Sequence, residues 1–303
     1  MSIALQRSLK SLIISCGEMI REVGLLVKFK LSMTVVFSAV LSYLIVAANT
    51  GNSGLLRLLV FAFGGFCVTG ASNILNELFE KDFDAQMART ANRPLVTGKL
   101  SMSTALILCG LFFGTGLVLM GTFNILAALI SAVSLIIYAF LYTPLKRVSP
   151  IAVTIGAIPG ALPTLIGAVA VEGKVSAVGL MLFLVQFCWQ FPHFWAIAFL
   201  GAEDYLKAGY RFIPLKDGKV DINIALQSFL FCLLLVGIFG FMFFINVISS
   251  VWIFVSLVGL AIIFGYFSIM LYKQQSREAA LRLMFYSFFF LPGFLGLMWF
   301  DKF

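Results

Sequence analysis

The chain has 303 residues, of which 61% are hydrophobic and only 11% are charged. About a quarter of the residues of a soluble domain are charged, so this composition excludes an aqueous globular protein and predicts one embedded in a membrane. The net charge of +8 does not indicate a nucleic-acid partner, because the basic residues lie in short strips between long apolar runs, as in membrane proteins.

Residues 1–25 form the first segment. Their apolar residues recur at helical spacing among basic ones, and no short apolar core is followed by a cleavage site. This pattern is typical of an amphipathic helix at the membrane surface and not of a removed signal sequence. We expect this segment to precede a single transmembrane domain over residues 26–303.

Nine apolar runs follow, each long enough to cross a bilayer core of about 30 Å as a helix. They lie at residues 27–47, 55–78, 103–121, 124–142, 151–171, 177–199, 223–247, 251–272 and 281–300. A break at residues 121–124 divides the third run from the fourth, because one helix over both would overshoot the membrane. The sequence therefore predicts an all-α polytopic membrane protein with nine transmembrane helices.

The basic residues are distributed unevenly between the two sides of this predicted bundle. All but three of the 21 lysines and arginines fall on the side of the N-terminus, the exceptions being Arg57, Lys174 and Lys302. The positive-inside rule then predicts a cytoplasmic N-terminus and an external C-terminus. All but two of the 13 acidic residues also lie on the predicted cytoplasmic side, which this rule does not require.

The first polar motif lies at the cytoplasmic end of the second predicted helix. Asn76, Glu80 and Asp84 recur at steps of four and share one helix face. Asn73, Glu77 and Asp84 fall on nearly the same stripe. Stacked carboxylates repel one another unless a cation compensates them. Oxygen ligands without histidine or cysteine favour Mg²⁺, which completes its shell with water and phosphate oxygens. The alternative is a solvated helix end with ordinary charge pairs.

The loop after this helix is basic. Arg89 and Arg93 are four residues apart and could each bind a phosphate group through two N–H donors, and Lys99 adds a point charge. Carboxylates followed closely by arginines favour a site for a metal and a diphosphate. The alternative is that these charges only set the membrane orientation.

A third motif follows the fourth run. Lys146 and Arg147 could reach the same diphosphate, and the ring of Tyr142 could stabilise an allylic cation through its π face. Aromatic residues and basic flanks at the membrane interface give a similar pattern without any catalytic role.

The sixth run carries an unusual number of polar residues. Gln186, Gln190, His193 and Asp204 fall on one helical stripe if a distortion at Pro192 is allowed, and His193 is the only histidine in the chain. Polar residues within a span usually face a cavity instead of lipid. A packed, hydrogen-bonded core histidine is the alternative interpretation.

A shift of 120 residues aligns two of the loops. Residues 94–99 fall on residues 214–219 with matching proline and glycine positions, and Asp84 falls on Asp204. A parallel repeat of four helices would explain the match, and so would a coincidence between two Pro/Gly turns.

These motifs carry a resemblance to a known family. The spacing Asn76-x-x-x-Glu80-x-x-x-Asp84 resembles the first Asp-rich motif, NxxxDxxxD, of the UbiA superfamily of intramembrane prenyltransferases. Residues 84–95, 142–147 and 189–194 are similar to the heme O synthase branch of that superfamily. The resemblance covers about residues 25–300. Two positions depart from the pattern: Glu80 replaces an aspartate, and Leu200 occupies the earlier acidic position of the second motif, leaving Asp204 and its neighbour Glu203.

The resemblance implies nine helices around a central cavity, in which a farnesyl group passes from farnesyl diphosphate to a vinyl group of heme B and water quenches the resulting cation. It implies Mg²⁺ as the cofactor, held by Asn76, Glu80, Asp84 and Asp204. It places Asn76, Glu80, Asp84, Tyr142 and Lys146 in catalysis and Asn73, Arg89, Arg93, Arg147, Gln190, His193 and Asp204 in substrate binding.

Two other functions are alternatives at this point. A prenyltransferase for a quinone precursor or another aromatic acceptor would share the fold and the diphosphate chemistry. An ion-coupled transporter would also carry acids in its spans, although transporters place them near the bilayer midplane. We expect a bacterial cytoplasmic membrane with the active site on the cytoplasmic side. A terminal oxidase or heme A synthase could be a protein partner.

Overall fold

The computed structural model describes residues 17–48 and 54–302, and within them the chain is almost entirely helical. Nine of the described helices are long and apolar enough to cross a membrane. The predicted all-α polytopic architecture is confirmed. The two short strands in the described part, Leu215–Lys216 (β1) and Lys219–Val220 (β2), pair antiparallel in one small hairpin.

The helices follow the order of the predicted apolar runs. Residues 17–26 (α1) are helical. The nine long elements and the short helices between them are α2 (Phe29–Ala47), α3 (Leu55–Asp84), α4 (Met102–Gly121), α5 (Ile125–Ile136) continued by a π-helical turn (Ile137–Tyr142) and α6 (Thr143–Leu145), α7 (Ile151–Glu172), α8 (Ala177–Leu200), α9 (Ala202–Lys207), α10 (Asn223–Phe244), α11 (Val251–Gln274) and α12 (Arg277–Phe300).

The N-terminal segment lies only partly within the described residues. Residues 1–16 of the predicted amphipathic helix lie outside the described residues, so its interfacial position stays a prediction. The chain turns sharply between α1 and α2, where Lys28 adopts a left-handed conformation with φ of 49°. Such a conformation is uncommon for a residue other than glycine, and it points to a constraint at this position.

Helix α3 continues beyond the apolar run of residues 55–78, as the helical spacing of the first polar motif requires. It runs to Asp84 and contains 30 residues, which corresponds to about 45 Å at 1.5 Å per residue. A bilayer core is about 30 Å thick, so the last turns of α3 can extend beyond it. Apolarity alone ends this helix at residue 78, because the polar residues that follow do not look like a membrane span.

Helix α7 is the most buried of the nine spans. Its glycine, alanine and proline residues let neighbouring backbones approach closely, which is the usual basis of helix packing in membranes. At Gly167, an added Cβ atom would collide with the backbone oxygen of Ala39 on α2. The outer helices α4, α10 and α11 instead expose leucine, valine and phenylalanine side chains.

We expect Gly167→Ala to destabilise the α2–α7 contact. Inserting a methyl group into a well-packed interface costs about 1–3 kcal/mol, and here the opposing atoms are backbone atoms that cannot rotate away. Thermal unfolding in detergent should show a lower midpoint. Gly237→Ala on α10 is the matched control, because nothing lies within 4 Å of an added Cβ there. Equal midpoints for the two variants would contradict a tight backbone contact at Gly167.

Candidate active site

The last turns of α3 carry a row of buried polar side chains. Asn73, Asn76, Glu77, Glu80 and Asp84 are each at most 3% exposed. Their spacing of three and four residues places them along one side of the helix. A charged carboxylate loses its hydration when it is buried, so each of these acids requires a compensating partner.

Three cations provide this compensation. Lys146 Nζ lies 2.5 Å from Glu80 Oε1, Arg93 forms an ion pair with Asp84, and Lys28 Nζ donates to Asn76 Oδ1 at 2.6 Å. Asn76 in turn donates to Glu80 Oε2 at 2.8 Å. Carboxylates and cations therefore form one interlocked, roughly electroneutral network.

The two lysines of this network, Lys28 and Lys146, lie outside the membrane spans, and the pKa of each is lowered. Burial lowers the pKa of Lys28 to about 7, and the nearby Arg93 guanidinium contributes to this lowering. Burial also lowers the pKa of Lys146, although the Glu80 carboxylate opposes the shift. Both lysines would hold their protons more tightly beside an additional anion, so the network favours binding a group with high negative charge.

The loop after α3 folds back over its acidic end. The Thr90 hydroxyl donates to the Asp84 carbonyl at 2.8 Å, and the Leu95 N–H donates to Glu77 Oε1 at 3.4 Å. The other carboxylate oxygen of Glu77, Oε2, is buried and has no hydrogen-bond partner among the described residues. Lys99 does not join the site, because its Nζ lies 3.0 Å from Glu22 of α1.

The donor chemistry fits a hard divalent cation such as Mg²⁺. Amide and carboxylate oxygens line the end of α3, and one of them, Glu77 Oε2, is unpartnered. Among the described residues, no three His, Cys, Asp or Glu side chains are grouped closely enough to hold a metal alone. Mg²⁺ usually takes only one or two carboxylates and completes its shell with phosphate oxygens and water.

The remaining predicted arginines lie around this network. Arg147 donates to the Phe79 carbonyl and its guanidinium lies 3.9 Å from the centre of the Phe83 ring. Arg89 is exposed and donates to the Tyr205 hydroxyl at 3.2 Å. This contact brings the loop after α3 against α9.

Asp204 is placed differently from the stripe predicted in the sequence. Helix α8 ends at Leu200, Gly201 follows it, and Asp204 lies on the separate short helix α9. The prediction of one continuous helical stripe from Gln186 to Asp204 was therefore wrong, because the helix is interrupted at Gly201. Asp204 is exposed, and within the described chain it is not grouped with the acids of α3 as a metal site.

Two tyrosines lie beside the carboxylates on a π-helical turn. Tyr138 and Tyr142 contact each other as a tilted ring pair with centres 5.4 Å apart, and Lys146 Nζ lies 5.0 Å from the centre of the Tyr142 ring. Pro144, which cannot donate a backbone hydrogen bond, follows this wide turn. Such π-turns occur often at functional sites.

A cavity of about 600 Å³ extends from this region between the helices. Its wall is mostly apolar, and its polar lining includes side chains from several helices and the π-turn. These are Ser38, Asn73, Tyr138, Tyr142, Gln186, Gln190, His193 and Trp189. The cavity therefore reaches α3 at Asn73, one turn before Asn76 of the charged network, and its interior is largely apolar.

The glutamines and the histidine of α8 line this cavity, as expected for polar residues within a span. Gln186 donates to the Gly160 carbonyl at 2.8 Å, and Gln190 donates to the Ala157 carbonyl at 2.9 Å. His193 Nδ1 lies 2.7 Å from the Ser287 hydroxyl.

Several members of this site were not predicted from the sequence. Lys28 looked like one of many basic residues that set the membrane orientation. Nothing in the sequence indicated that the helix is interrupted at this residue. Tyr210 is buried next to the charged network, and burial raises its pKa. Glu77 was recognised on the stripe of Asn73 and Asp84, but the sequence assigned it no role. Only contacts between distant segments identify Lys28 and Tyr210 as members of the site.

The comparisons with known proteins agree with this geometry. The model of the UbiA prenyltransferase family matches residues 35–291. A protoheme IX farnesyltransferase of Cytophaga hutchinsonii is 43% identical over 269 residues, which are 88% of this chain and 92% of that protein. A mitochondrial protoheme IX farnesyltransferase of Arabidopsis thaliana is 34% identical over 282 residues, which are 89% of this chain and 62% of that protein.

Solved structures share the fold at lower identity. Digeranylgeranylglyceryl phosphate synthase superposes with a TM-score of 0.78 at 21% identity, covering 94% of this chain and 99% of that one. A UbiA homolog from Archaeoglobus fulgidus bound to GPP and Mg²⁺ superposes with a TM-score of 0.61 at 15% identity, covering 91% and 99%.

We expect Lys146→Met to destabilise the protein strongly. Removing one partner of a buried ion pair leaves the Glu80 carboxylate uncompensated, at a cost of about 3–5 kcal/mol. The thermal midpoint should fall, and the double variant Lys146→Met/Glu80→Gln should recover most of the loss.

Lys207→Met is the matched control, because its partner Glu203 is exposed and 4.0 Å away. An exposed pair contributes at most about 1 kcal/mol. A Lys146→Met protein as stable as the Lys207→Met protein would show that the Lys146–Glu80 pair is unimportant for stability.

Proposed function

Because the chain belongs to the UbiA prenyltransferase family, we propose that it transfers the farnesyl group of farnesyl diphosphate to a vinyl group of heme B and so forms heme O. The relatives named protoheme IX farnesyltransferase support this acceptor, since they cover most of the chain. The structural observation that carries the proposal is a cation-rich network at the end of α3 beside a cavity of about 600 Å³, which is lined by Asn73 of the same helix and by His193.

The diphosphate is bound by cations in this proposal. Arg93, Lys146 and Lys28 already lie within the network, and Arg147 and Arg89 flank it. Arginine suits diphosphate because its guanidinium offers two parallel donors, while lysine acts as a point charge. Departure of the diphosphate separates charge, so cations fixed beside the leaving oxygens stabilise the transition state most.

Asn76, Glu80 and Asp84 would hold Mg²⁺, with Glu77 close enough on the same helix to contribute its unpartnered oxygen. When bound, the metal would act as a Lewis acid that neutralises charge on the diphosphate. A solved homolog of the same fold is bound to GPP and Mg²⁺. Asp204 would join only by a movement of α9, because it is exposed on the short helix.

The transfer itself takes place in the cavity. The bond between C1 of farnesyl and the diphosphate oxygen breaks, and the vinyl carbon of heme B bonds to C1. Water then adds to the other vinyl carbon and loses a proton, which gives a hydroxyethylfarnesyl group. The faces of Tyr138 and Tyr142 would stabilise the allylic cation. The apolar wall keeps bulk water from it before the acceptor reacts.

The acceptor distinguishes this proposal from the aromatic prenyltransferase alternative. His193 lines the cavity and stacks on Trp189 with ring centres 4.7 Å apart. Histidine is a common protein ligand of heme iron, whereas a phenolic acceptor has no need of one. The test is the product formed by purified protein from farnesyl diphosphate, Mg²⁺ and an equimolar mixture of heme B and 4-hydroxybenzoate. Heme O is expected, and prenylated 4-hydroxybenzoate alone would refute the proposal.

The protein is an integral membrane protein, and we propose the bacterial cytoplasmic membrane with the active site on the cytoplasmic side. The basic residues of the α3–α4 loop and of residues 143–150 support this side through the positive-inside rule. The cytoplasmic N-terminus and a terminal oxidase or heme A synthase partner belong to the same proposal.

Asp84→Asn is expected to lower kcat by about a hundredfold or more, because it removes a charged metal ligand whose effect is worth several kcal/mol. Addition of EDTA to the parent enzyme should have a similar effect. Asp82→Asn is the matched control, since Asp82 is two residues away and exposed. Parent-like turnover in Asp84→Asn would remove this residue from the site.

His193→Ala is expected to weaken heme binding while the affinity for farnesyl diphosphate stays nearly unchanged. Titrations of both substrates with the folded variant would measure this difference. His193→Phe is the companion variant, because it keeps a ring of similar size but cannot bind iron. If His193 only packs, the alanine variant should lose stability and the phenylalanine variant should bind heme normally.

A further inference from the structure

We propose that Ser287 is a positioning residue that fixes the tautomer of His193, so that Nδ1 carries the proton and Nε2 is the free, unprotonated nitrogen. The heme part of this inference rests on the proposed function above, whereas the tautomer itself does not. Ser287 lies on α12, 94 residues from His193 in the sequence, and no pattern in the sequence links the two.

The Ser287 hydroxyl has a single proton, and a backbone carbonyl already accepts it. Ser287 Oγ lies 2.5 Å from the Met284 carbonyl oxygen, one turn earlier on α12, and donates to it. Two oxygens this close without a proton between them would repel each other strongly, so the serine proton is committed to this bond. Ser287 Oγ can then only accept from His193.

The imidazole ring must therefore supply the proton that lies between the two side chains. His193 Nδ1 lies 2.7 Å from Ser287 Oγ, and a neutral imidazole carries its proton on one nitrogen only. Since Ser287 accepts, that proton lies on Nδ1. Nε2 is therefore a lone-pair acceptor, and it has no hydrogen-bond partner among the residues described by the structure.

The ring is also held in place. It stacks on Trp189 with an interplanar angle of 14°, and Phe288 contacts it edge-on at 5.2 Å. Trp189 Nε1 donates to the Ser287 carbonyl at 2.8 Å. One residue of α12 thus binds both Trp189 and His193 of α8, and the imidazole cannot turn without breaking these contacts.

The tautomer decides between two roles for His193. An unprotonated Nε2 can donate its electron pair to heme iron, but it has no proton to offer to a heme propionate. A histidine that ligates a metal usually donates its other N–H to a partner that fixes the ring, and Ser287 occupies this position. The geometry points to Nε2 as an iron ligand that places the vinyl-bearing macrocycle in the cavity.

Nitrogen-15 NMR tests the tautomer directly, because His193 is the only histidine of the 303 residues. Protein without a histidine tag, labelled at histidine nitrogens, is measured at about pH 8, above the ordinary imidazole pKa of about 6.5. One protonated Nδ1 and one unprotonated Nε2 are expected. Predominant protonation at Nε2 would overturn the proposal, whether or not the protein makes heme O.

Three variants give the test its controls. Ser287→Ala removes the acceptor, and the NMR signals should report a mixture of tautomers or the other one. Ser287→Thr keeps the hydroxyl and should keep the parent spectrum. Ser228→Ala is matched in burial and in its bond to the carbonyl of Ile224, and it should also keep the parent spectrum. A parent spectrum in folded Ser287→Ala would show that Ser287 does not fix the tautomer.

Heme titrations complete the test. Ferric heme should bind Ser287→Ala roughly tenfold more weakly than the parent, within the range seen when the hydrogen-bonding partner of a metal-binding histidine is removed. The histidine-ligated absorption spectrum should be lost in His193→Ala and retained in Ser287→Thr. An unchanged spectrum in His193→Ala would overturn the iron-ligand role. Failure to form heme O with an intact Nδ1–H tautomer would refute only the proposed function.

Discussion

The cost of burying carboxylates at the end of α3 governs the arrangement of the charged network around this helix end. Glu77, Glu80 and Asp84 are nearly inaccessible to solvent, and each buried charge without a partner would cost several kcal/mol. The compensating cations therefore come from three separate parts of the chain: the turn before α2, the loop after α3 and the end of α6. These contacts tie distant segments to one helix. The same electrostatic demand that stabilises the fold thus assembles the cations to which we assign the diphosphate.

The small residues of α7 are the second structural requirement of the site, because they leave space for the side chains that line the cavity. At Gly156 an added Cβ would meet the Tyr142 ring, and at Gly160 it would meet the Gln190 amide. These glycines leave room for a tyrosine on one side and a glutamine on the other, both of which line the cavity. Helix packing and the shape of the active site consequently depend on the same residues. Larger side chains on this face of α7 would close the space in which the acceptor and the farnesyl chain must meet.

The sequence predicted most of the fold because membrane spans have a strong local signal. Runs of about 20 apolar residues identify the helices without knowledge of their neighbours. The acidic motif was also visible, since its spacing of four is a local property of a helix. Lys28, Tyr210 and Ser287 were invisible for the opposite reason. Each acts through contacts with residues 48 or more positions away or through burial beside the network, and no local pattern encodes those contacts. The break at Gly201 likewise separates Asp204 from the polar stripe of α8.

The two loops that align at a shift of 120 residues have similar turns but different surroundings. Gly98 and Gly218 both have left-handed backbones, with φ of 75° and 76°, so the turns are alike. Asp84 is buried against Arg93, whereas Asp204 is exposed. The first half of the chain concentrates buried charges at the end of α3. The second half contributes neutral groups such as Gln186, Gln190 and His193 to the cavity wall. This asymmetry has a physical reason. Only the diphosphate end of the reaction carries high charge, and a second buried cluster of acids would require equal compensation without a cationic ligand to stabilise. Neutral donors and acceptors add no charge to the cavity interior, so that part of the protein needs no compensating ions.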